Sequence, residues 1–321
     1  MRPEMFLADI ERKPEALTAL AASMGRENPW AAMAIDRDSH LIILGMGSSH
    51  YANGVAAARL RASGVNAVAE LASSDLMPQV QSNTVVVAVS ASGGSVETLD
   101  AVSRYQGRCP VVAMTNVAES AVTREASAVL MMEAGKEESG VSCRSFQHTL
   151  ALFLGLEEHL RLGPNPSVLV NRAAEATSDL LERRSSWLPP LLEEAIGPDG
   201  TYLVAPGRRM SSAQQGALML RETPRIPAVG CETGDWSHVD VYLTKTIDYR
   251  LVLFAGSRWE RELVTWVVDR GSRLISIGQD MSQASLTIRY AHDDDGDDVR
   301  LLAEVAVAEL LAESVWRAGG S

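Results

Sequence analysis

The stretch VVVAVSASGGSVETLDAV, residues 85–102, decides the fold. Its first part is a continuous run of mostly β-branched residues, which predicts a parallel strand covered on both faces. The run stops at a loop that contains two adjacent glycines and three serines, and a helical pattern follows it. A strand, a glycine-rich loop and a helix in this order are typical of one unit of an open α/β sheet.

The same order recurs in the first half of the chain. HLIILGMGSSHYANGVAAARL, residues 40–60, contains an apolar run, a glycine turn and an apolar-striped helix. Further strands are predicted in NAVAELASSDLM (66–77), CPVVAMTN (109–116) and AVLMME (128–133). Strands that alternate with helices indicate a doubly wound parallel sheet.

The second half echoes the first. TYLVAPGRRMSSAQQGALMLRE (201–222), YRLVLFAGSRWERELVTWVVDRG (249–271) and SRLISIGQD (272–280) repeat the earlier order of elements. We therefore expect an α/β protein with two tandem doubly wound parallel-sheet subdomains of the flavodoxin type. The expected division is a helical leader at 1–34, a first domain at 35–163, a helical connector at 164–198 and a second domain at 199–321. Pro189 and Pro190 are expected to break the connector, and residues 297–316 are expected to form one amphipathic helix.

Composition narrows the classes of partner. The net charge of −12 argues against nucleic acid, because phosphate backbones recruit lysine and arginine. Cys109, Cys143 and Cys231 have neither disulfide-framework nor zinc-ligand spacing, which favours a reducing cytoplasm. We expect no signal peptide and no membrane span, because no apolar run is long enough.

The serine loop predicts an anion site. Ligands of open parallel sheets bind beyond the carboxyl ends of the strands, where helix N-termini offer free N–H groups. Ser90, Ser92 and Ser95 add hydroxyl donors, and the GMGSS turn at residues 45–49 follows another predicted strand. Helix capping by serine is the alternative interpretation. Neither loop matches a dinucleotide fingerprint, and no Walker lysine follows.

The corresponding loop of the second half is different. Residues 255–260 read AGSRWE, so bulk and charge replace the small residues of SASGGS. We therefore expect one such site per chain.

Several ordered motifs resemble those of the sugar isomerase (SIS) domain proteins, specifically the isomerase half of glucosamine-6-phosphate synthase. Glutaminase-free relatives of that half, the amino-sugar phosphate deaminases and fructosamine-phosphate deglycases, are similar as well. The motifs are GMGSSHYANGVAAARL (45–60), SASGGSVETL (90–99), the stretch from TNVAES to SCRSF (115–146), QQGALMLRE (214–222) and GDWSH (234–238).

The resemblance implies roles for individual residues. It implies a phosphate site at Ser49, Ser90, Ser92, Ser95 and the main chain of Ala91, with Ser48 and Glu137 near the sugar. Glu222 matches the carboxylate that moves a proton between the first two sugar carbons, and His238 matches the histidine that opens the ring. In relatives this histidine reaches the site from the other subunit, so a homodimer is implied. One carboxylate with a raised pKa and one histidine suffice for this chemistry, so we expect neither a metal nor a cofactor.

Structural alternatives exist for these residues. Glu222 ends a helical stripe beside Arg221, where an exposed charge is common. His238 follows Trp236 in a loop and is equally compatible with a surface histidine. His40, His50 and His148 are interpreted as structural or solvated residues.

The chain departs from the family pattern at several positions. Gln215 and Met219 stand where relatives have a carboxylate and a lysine, and Gly94 replaces an acidic residue. We also expect the protein to lack the lysine-bearing C-terminal tail of many relatives and their glutaminase domain.

The expected function is therefore that of a phosphosugar aldose–ketose isomerase or isomerising deaminase acting on an amino-sugar phosphate such as glucosamine 6-phosphate. A glutamine-dependent synthase is not expected. The alternative is a sensor that binds a sugar phosphate without turnover, which the changes at Gln215 and Met219 favour.

Overall fold

The computed structural model of the chain describes residues 2–319. The strands are β1 (His40–Gly45), β2 (Ala67–Leu71), β3 (Thr84–Val89), β4 (Val111–Thr115), β5 (Ala128–Met131), β6 (Thr201–Ala205), β7 (Ala228–Glu232), β8 (Arg250–Phe254), β9 (Arg273–Ile277) and β10 (Leu286–Ile288). The first helices are α1 (Pro3–Glu11), α2 (Lys13–Arg26), α3 (Gly47–Ala62), α4 (Val96–Ser103), α5 (Ala121–Glu125), α6 (Arg144–His159) and α7 (Ser167–Glu182). The remaining ones are α8 (Arg184–Ala195), α9 (Met210–Glu222), α10 (Thr233–Trp236), α11 (Glu260–Asp269), α12 (Asp297–Ala303) and α13 (Val305–Gly319), with short 3-10 helices at Gly207–Arg209 and Asp240–Lys245.

The chain folds into two compact units, each built on one sheet. The first-sheet unit comprises Glu15–Glu137 and Ser142–Asn171. The second-sheet unit comprises the described residues of Met1–Pro14, Glu138–Val141 and Arg172–Ser321. The four-part division expected from the sequence stays a prediction.

The first sheet has the strand order β2-β1-β3-β4-β5, and its strand pairs are parallel. Every residue of β3 is buried, as its unbroken β-branched run predicted for a strand covered on both faces. One face packs Ile42, Val86 and Ala113 against Val102 and Tyr105. Burial of these apolar side chains is the main stabilising contribution to this unit.

The second sheet has the order β10-β9-β8-β6-β7, again with parallel pairs. Read from β7, this is the same arrangement as in the first sheet, with the second strand at the edge and the first and third strands adjacent. The doubly wound fold and its repetition, both predicted from the sequence, are therefore confirmed.

Two helical segments differ from the expectation. The connector breaks at Arg183, between α7 and α8, while Pro189 and Pro190 lie inside α8. Burial of Trp187 and Leu191 keeps this face of α8 helical, since tertiary packing overrides local propensity. The last segment divides at Glu304 into α12 and α13, and the Glu304 carboxylate is fully buried in an ion pair with Arg209.

Candidate active site

The serine loops meet at the topological switch point of the first sheet. β1 and β3 are neighbours in register, with Leu44 beside Ala88, while the chain leaves β1 towards β2 and leaves β3 towards β4 on the opposite side. The loops that follow β1 and β3 therefore diverge and leave a crevice at the carboxyl ends of the strands, where open α/β sheets bind ligands. Ser48 and Ser49 begin α3 on one side of this crevice, and residues 90–95 lie on the other.

Residues 90–95 form a tight loop that ends in a capped helix. The N–H of Gly93 donates to the carbonyl of Ser90 at 3.0 Å, and the N–H of Gly94 donates to the hydroxyl of Ser92 at 3.3 Å. Ser95 is the N-cap of α4, since its hydroxyl accepts from the N–H of Thr98 at 3.3 Å and donates to Glu97 at 2.9 Å. Capping, the alternative interpretation of the sequence, thus describes Ser95 in this structure, whereas Ser92 is exposed.

Gly93 is the position at which this loop requires glycine. Its φ is +65°, in the left-handed region that side-chain-bearing residues rarely adopt. A Cβ there would collide with the side chain of Ser120 and lie 3.0 Å from the hydroxyl of Thr115. The loop therefore lies directly against the start of α5.

Asn116, which the sequence motif contained but the site prediction omitted, joins three loops at the edge of the first sheet. Its N–H donates to the carbonyl of Ala91 at 3.1 Å. Its side chain accepts from the N–H of Ala134 at 3.0 Å and donates to the carbonyl of Gly135 at 2.5 Å. The loops after β3, β4 and β5 are thus held together by one residue. Only its position directly after an apolar strand could have indicated this role.

Glu137 caps the N-terminus of α6. Its carboxylate accepts from the N–H groups of Cys143 at 2.7 Å and Ser145 at 3.0 Å, and from the Ser145 hydroxyl at 2.7 Å. A negative charge is favourable at a helix N-terminus. The structure therefore gives this carboxylate a capping role, and its contact with a sugar stays a prediction.

Three other histidines of the first-sheet unit have structural environments. His40 contacts the Thr84 hydroxyl at 3.2 Å, and His148 contacts the carbonyl of Met132 at 2.8 Å. Burial lowers the pKa of His50, partly offset by the nearby Glu70.

Charged side chains of the chain itself contact the corresponding loops of the second sheet. Glu260 accepts from the N–H of Ser257 at 2.6 Å and from that of Gly256, the loop amides that follow β8. Arg209, after β6, is fully buried and pairs with Glu304 and with Asp297, the latter at 2.9 Å. The loop amides that an anion would contact here are therefore already paired with a carboxylate of the chain, and the expectation of one such site per chain stays a prediction.

Glu222 lies at the end of α9 and is half-buried. Within residues 2–319 its carboxylate makes no hydrogen bond or ion pair. Burial alone raises its pKa. A carboxylate with a raised pKa and free oxygens is suited to accept and return a proton near neutral pH.

His238 is exposed and lines an open cavity of about 430 Å³ in the second-sheet unit. Glu222 is not among the described residues that line it. Cys231 lies in β7, where burial raises the pKa of its thiol to about 12. The thiol therefore stays protonated and is a poor nucleophile. The cavity is lined by Glu232, Gly234, Asp235, Ser237, His238, Trp259 and Glu262.

Neither a metal cluster nor a membrane helix is found in the described part of the chain. Residues 2–319 contain no group of three or more His, Cys, Asp or Glu side chains arranged to hold a metal ion. No helix in the same range has the length and apolarity needed to cross a bilayer.

The raised pKa of Glu222 predicts a pH-dependent stability difference. The folded chain holds the Glu222 proton more tightly than the unfolded chain, so the contribution of this group to the free energy of unfolding falls as pH rises from about 4.5 through the raised pKa. We expect Glu222→Gln to be more stable than wild type at pH 7, with the difference shrinking towards pH 4. Thermal melts of both proteins across this range measure it, with Glu193→Gln, which removes an exposed carboxylate from α8, as the control. A Glu222→Gln difference independent of pH would contradict the assignment.

The first sheet lies in a range that matches a known domain family. Residues 34–156 match the SIS domain family, the family that the sequence motifs resemble. The matched range contains β1 to β5 and both serine loops.

The similar curated proteins extend the likeness beyond that domain. A glutamine–fructose-6-phosphate aminotransferase [isomerizing] of Sulfurisphaera tokodaii is 21% identical over 97% of this chain and 53% of its own length. The protein of the same name from Aeropyrum pernix is 29% identical over 76% of this chain and 42% of its own length. The chain spans about half the length of the curated relatives it matches.

Solved structures share the fold over nearly the whole chain. The C-terminal domain of glucosamine-fructose-6-phosphate aminotransferase from Francisella tularensis superposes with a TM-score of 0.81 at 18% identity, covering 98% of this chain and 96% of that one. Tagatose-6-phosphate ketose/aldose isomerase from Escherichia coli gives 0.79 at 16% identity, covering 99% and 93%. Glucosamine-6-phosphate deaminase from Thermotoga maritima gives 0.74 at 16% identity, covering 98% and 95%. The chain therefore shares its fold with these structures over nearly its whole length.

Proposed function

We propose that this protein is a phosphosugar aldose–ketose isomerase or isomerising deaminase that acts on an amino-sugar phosphate such as glucosamine 6-phosphate. The observation that carries the proposal is the position of the two serine loops at the switch point of the first sheet, whereas the corresponding loop amides of the second sheet are paired with Glu260. The names of the similar proteins support it, because they share six-carbon phosphosugars as substrates or products.

The phosphate is proposed to bind between the two serine loops. Ser49 and the exposed Ser92 supply hydroxyl donors, and the N-termini of α3 and α4 add a partial positive charge. Ser48 and Glu137 would lie near the sugar. The remaining proposed contacts are Ser90, Ser95 and the main chain of Ala91.

Glu222 and His238 are proposed to perform the chemistry. Glu222 would remove the proton from one sugar carbon next to the carbonyl and return it to the neighbouring carbon through an enediol or enolamine. Its raised pKa and free carboxylate suit both transfers. His238, which is exposed and lies beside a cavity, would relay the proton of the ring oxygen during ring opening.

In this proposal the protein acts as a homodimer, with His238 contributed across the interface. The exposed apolar side chains beside His238 support the proposal that a second subunit covers this surface. Val239 is 54% exposed and Tyr242 is 64% exposed, and Trp259 of the same cavity is 51% exposed. Apolar side chains grouped in this way are typical of protein interfaces.

The test is turnover of glucosamine 6-phosphate. We expect wild-type protein to release ammonia and fructose 6-phosphate, detected by coupled assay. In D₂O, proton NMR is expected to show exchange at the sugar carbon that Glu222 deprotonates. Tight binding of hexose and aminohexose phosphates, seen as a rise in melting temperature, without turnover or exchange of any of them would contradict the enzyme and support the sensor.

A further inference from the structure

The turn that carries His238 lies between two buried side chains. Trp236, at the end of α10, is fully buried, and Asp240, at the start of a 3-10 helix, is 6% exposed. His238 and Val239, between them, are exposed. The turn is closed locally by the N–H of His238, which donates to the carbonyl of Asp235 at 2.8 Å.

Both flanking side chains reach the same atom, the hydroxyl oxygen of Tyr249. The indole N–H of Trp236 donates to it at 2.7 Å. The hydroxyl in turn donates to the carboxylate of Asp240 at 3.4 Å. The order of donors and acceptors is consistent along this chain, because an indole only donates and an ionised carboxylate only accepts.

Tyr249 itself is held rigidly in the core of the second-sheet unit. It directly precedes β8 and is 1% exposed. Its ring stacks on Tyr202 with centroids 4.2 Å apart and meets Trp236 edge-on at 6.2 Å. These ring contacts hold the Tyr249 hydroxyl at a fixed position.

We infer that Tyr249 is a positioning residue, which holds the His238-bearing turn at both of its ends and so fixes the place of the imidazole. The inference deepens the proposed function, on which its catalytic consequence rests. Nothing in the hydrogen bonding of Tyr249 requires it to touch the sugar. It acts through Trp236 and Asp240.

The test compares two tyrosines of one stacked pair. Tyr249→Phe keeps the ring and removes the anchor, while Tyr202→Phe removes a hydroxyl that donates to the Asp199 carbonyl at 3.4 Å instead. In Tyr249→Phe we expect amide hydrogen exchange in residues 235–241 to become about 25-fold faster, because the substitution removes two hydrogen bonds and the loss of each typically implies a factor of about five. Tyr202→Phe is expected to leave exchange in this segment unchanged.

Kinetics provide the second readout. Tyr249→Phe is expected to lower kcat on glucosamine 6-phosphate by roughly 10- to 100-fold, since a misplaced catalytic group has effects of this size, with KM nearly unchanged. Trp236→Phe, which removes one of the two links, is expected to fall between wild type and Tyr249→Phe in both measurements.

Unchanged exchange in Tyr249→Phe overturns the inference, and so does faster exchange with an unchanged kcat in an active wild-type protein. Absence of turnover in wild type would refute the proposed function alone. The exchange comparison then still decides whether Tyr249 anchors the turn.

Discussion

Glu222→Gln is expected to lower turnover of glucosamine 6-phosphate by about 10² to 10⁴, the range in which a positioned general acid–base acts. The amide preserves the shape of the side chain and cannot accept the proton. Because Glu222 makes no hydrogen bond or ion pair within residues 2–319, this substitution leaves no partner unpaired. The loss should therefore come from chemistry and not from folding.

Deuterium exchange at the substrate carbon is the sharper measurement. If Glu222 moves the proton, exchange and product formation are lost together in Glu222→Gln, while the dissociation constant of inorganic phosphate is unchanged. Glu193→Gln, an exposed carboxylate in the same unit, is the matched control and should retain full activity. Wild-type exchange rates in Glu222→Gln would exclude the assigned role.

Gly93→Ala is expected to abolish saturable phosphate binding. The residue adopts a φ of +65°, and a Cβ would collide with Ser120, so the loop 90–95 must move away from α5. Backbone strain of this kind costs about 1–3 kcal/mol, and we expect the free energy of unfolding to fall by at least that range. Calorimetric titration with phosphate and denaturant unfolding measure the two effects.

The neighbouring glycine supplies the control. A Cβ on Gly94 would meet no atom within 4 Å, and its φ lies outside the left-handed region. Gly94→Ala should therefore fold and bind phosphate as wild type does. Equal phosphate affinity in Gly93→Ala and Gly94→Ala would refute the placement of the anion at this loop.

Most strands of the two sheets could be predicted from the sequence because the central strands are buried on both faces. β3 and β8 contain unbroken apolar runs, and a short run of this kind is typical of a buried parallel strand. β7 and β10 were not predicted. β7 contains Gly230 and ends at Glu232, and β10 has three residues at the sheet edge, so neither has a run long enough to be distinctive.

The neighbouring positions of the two serine loops were predictable because their sequence signal is local. The serines follow strands, and parallel strands bring their carboxyl ends to one edge, so their meeting required only the strand order. Asn116 and Tyr249 were not identified, because their hydrogen bonds join segments that no local pattern links. For Ser95 the sequence allows both a helix cap and a phosphate contact; the Thr98 hydrogen bond shows the capping role, and the phosphate contact stays a prediction.

The pairing of Glu260 with the loop amides of the second sheet affects whether a dissolved anion can bind there. Glu260 follows the amides that it contacts by three and four residues, so its carboxylate is present there at an effective concentration that dissolved anions do not match. A free phosphate would have to displace this intramolecular competitor and would leave a carboxylate beside it. The second sheet thus repeats the strand order of the first, while a carboxylate of the chain itself already pairs with its loop amides.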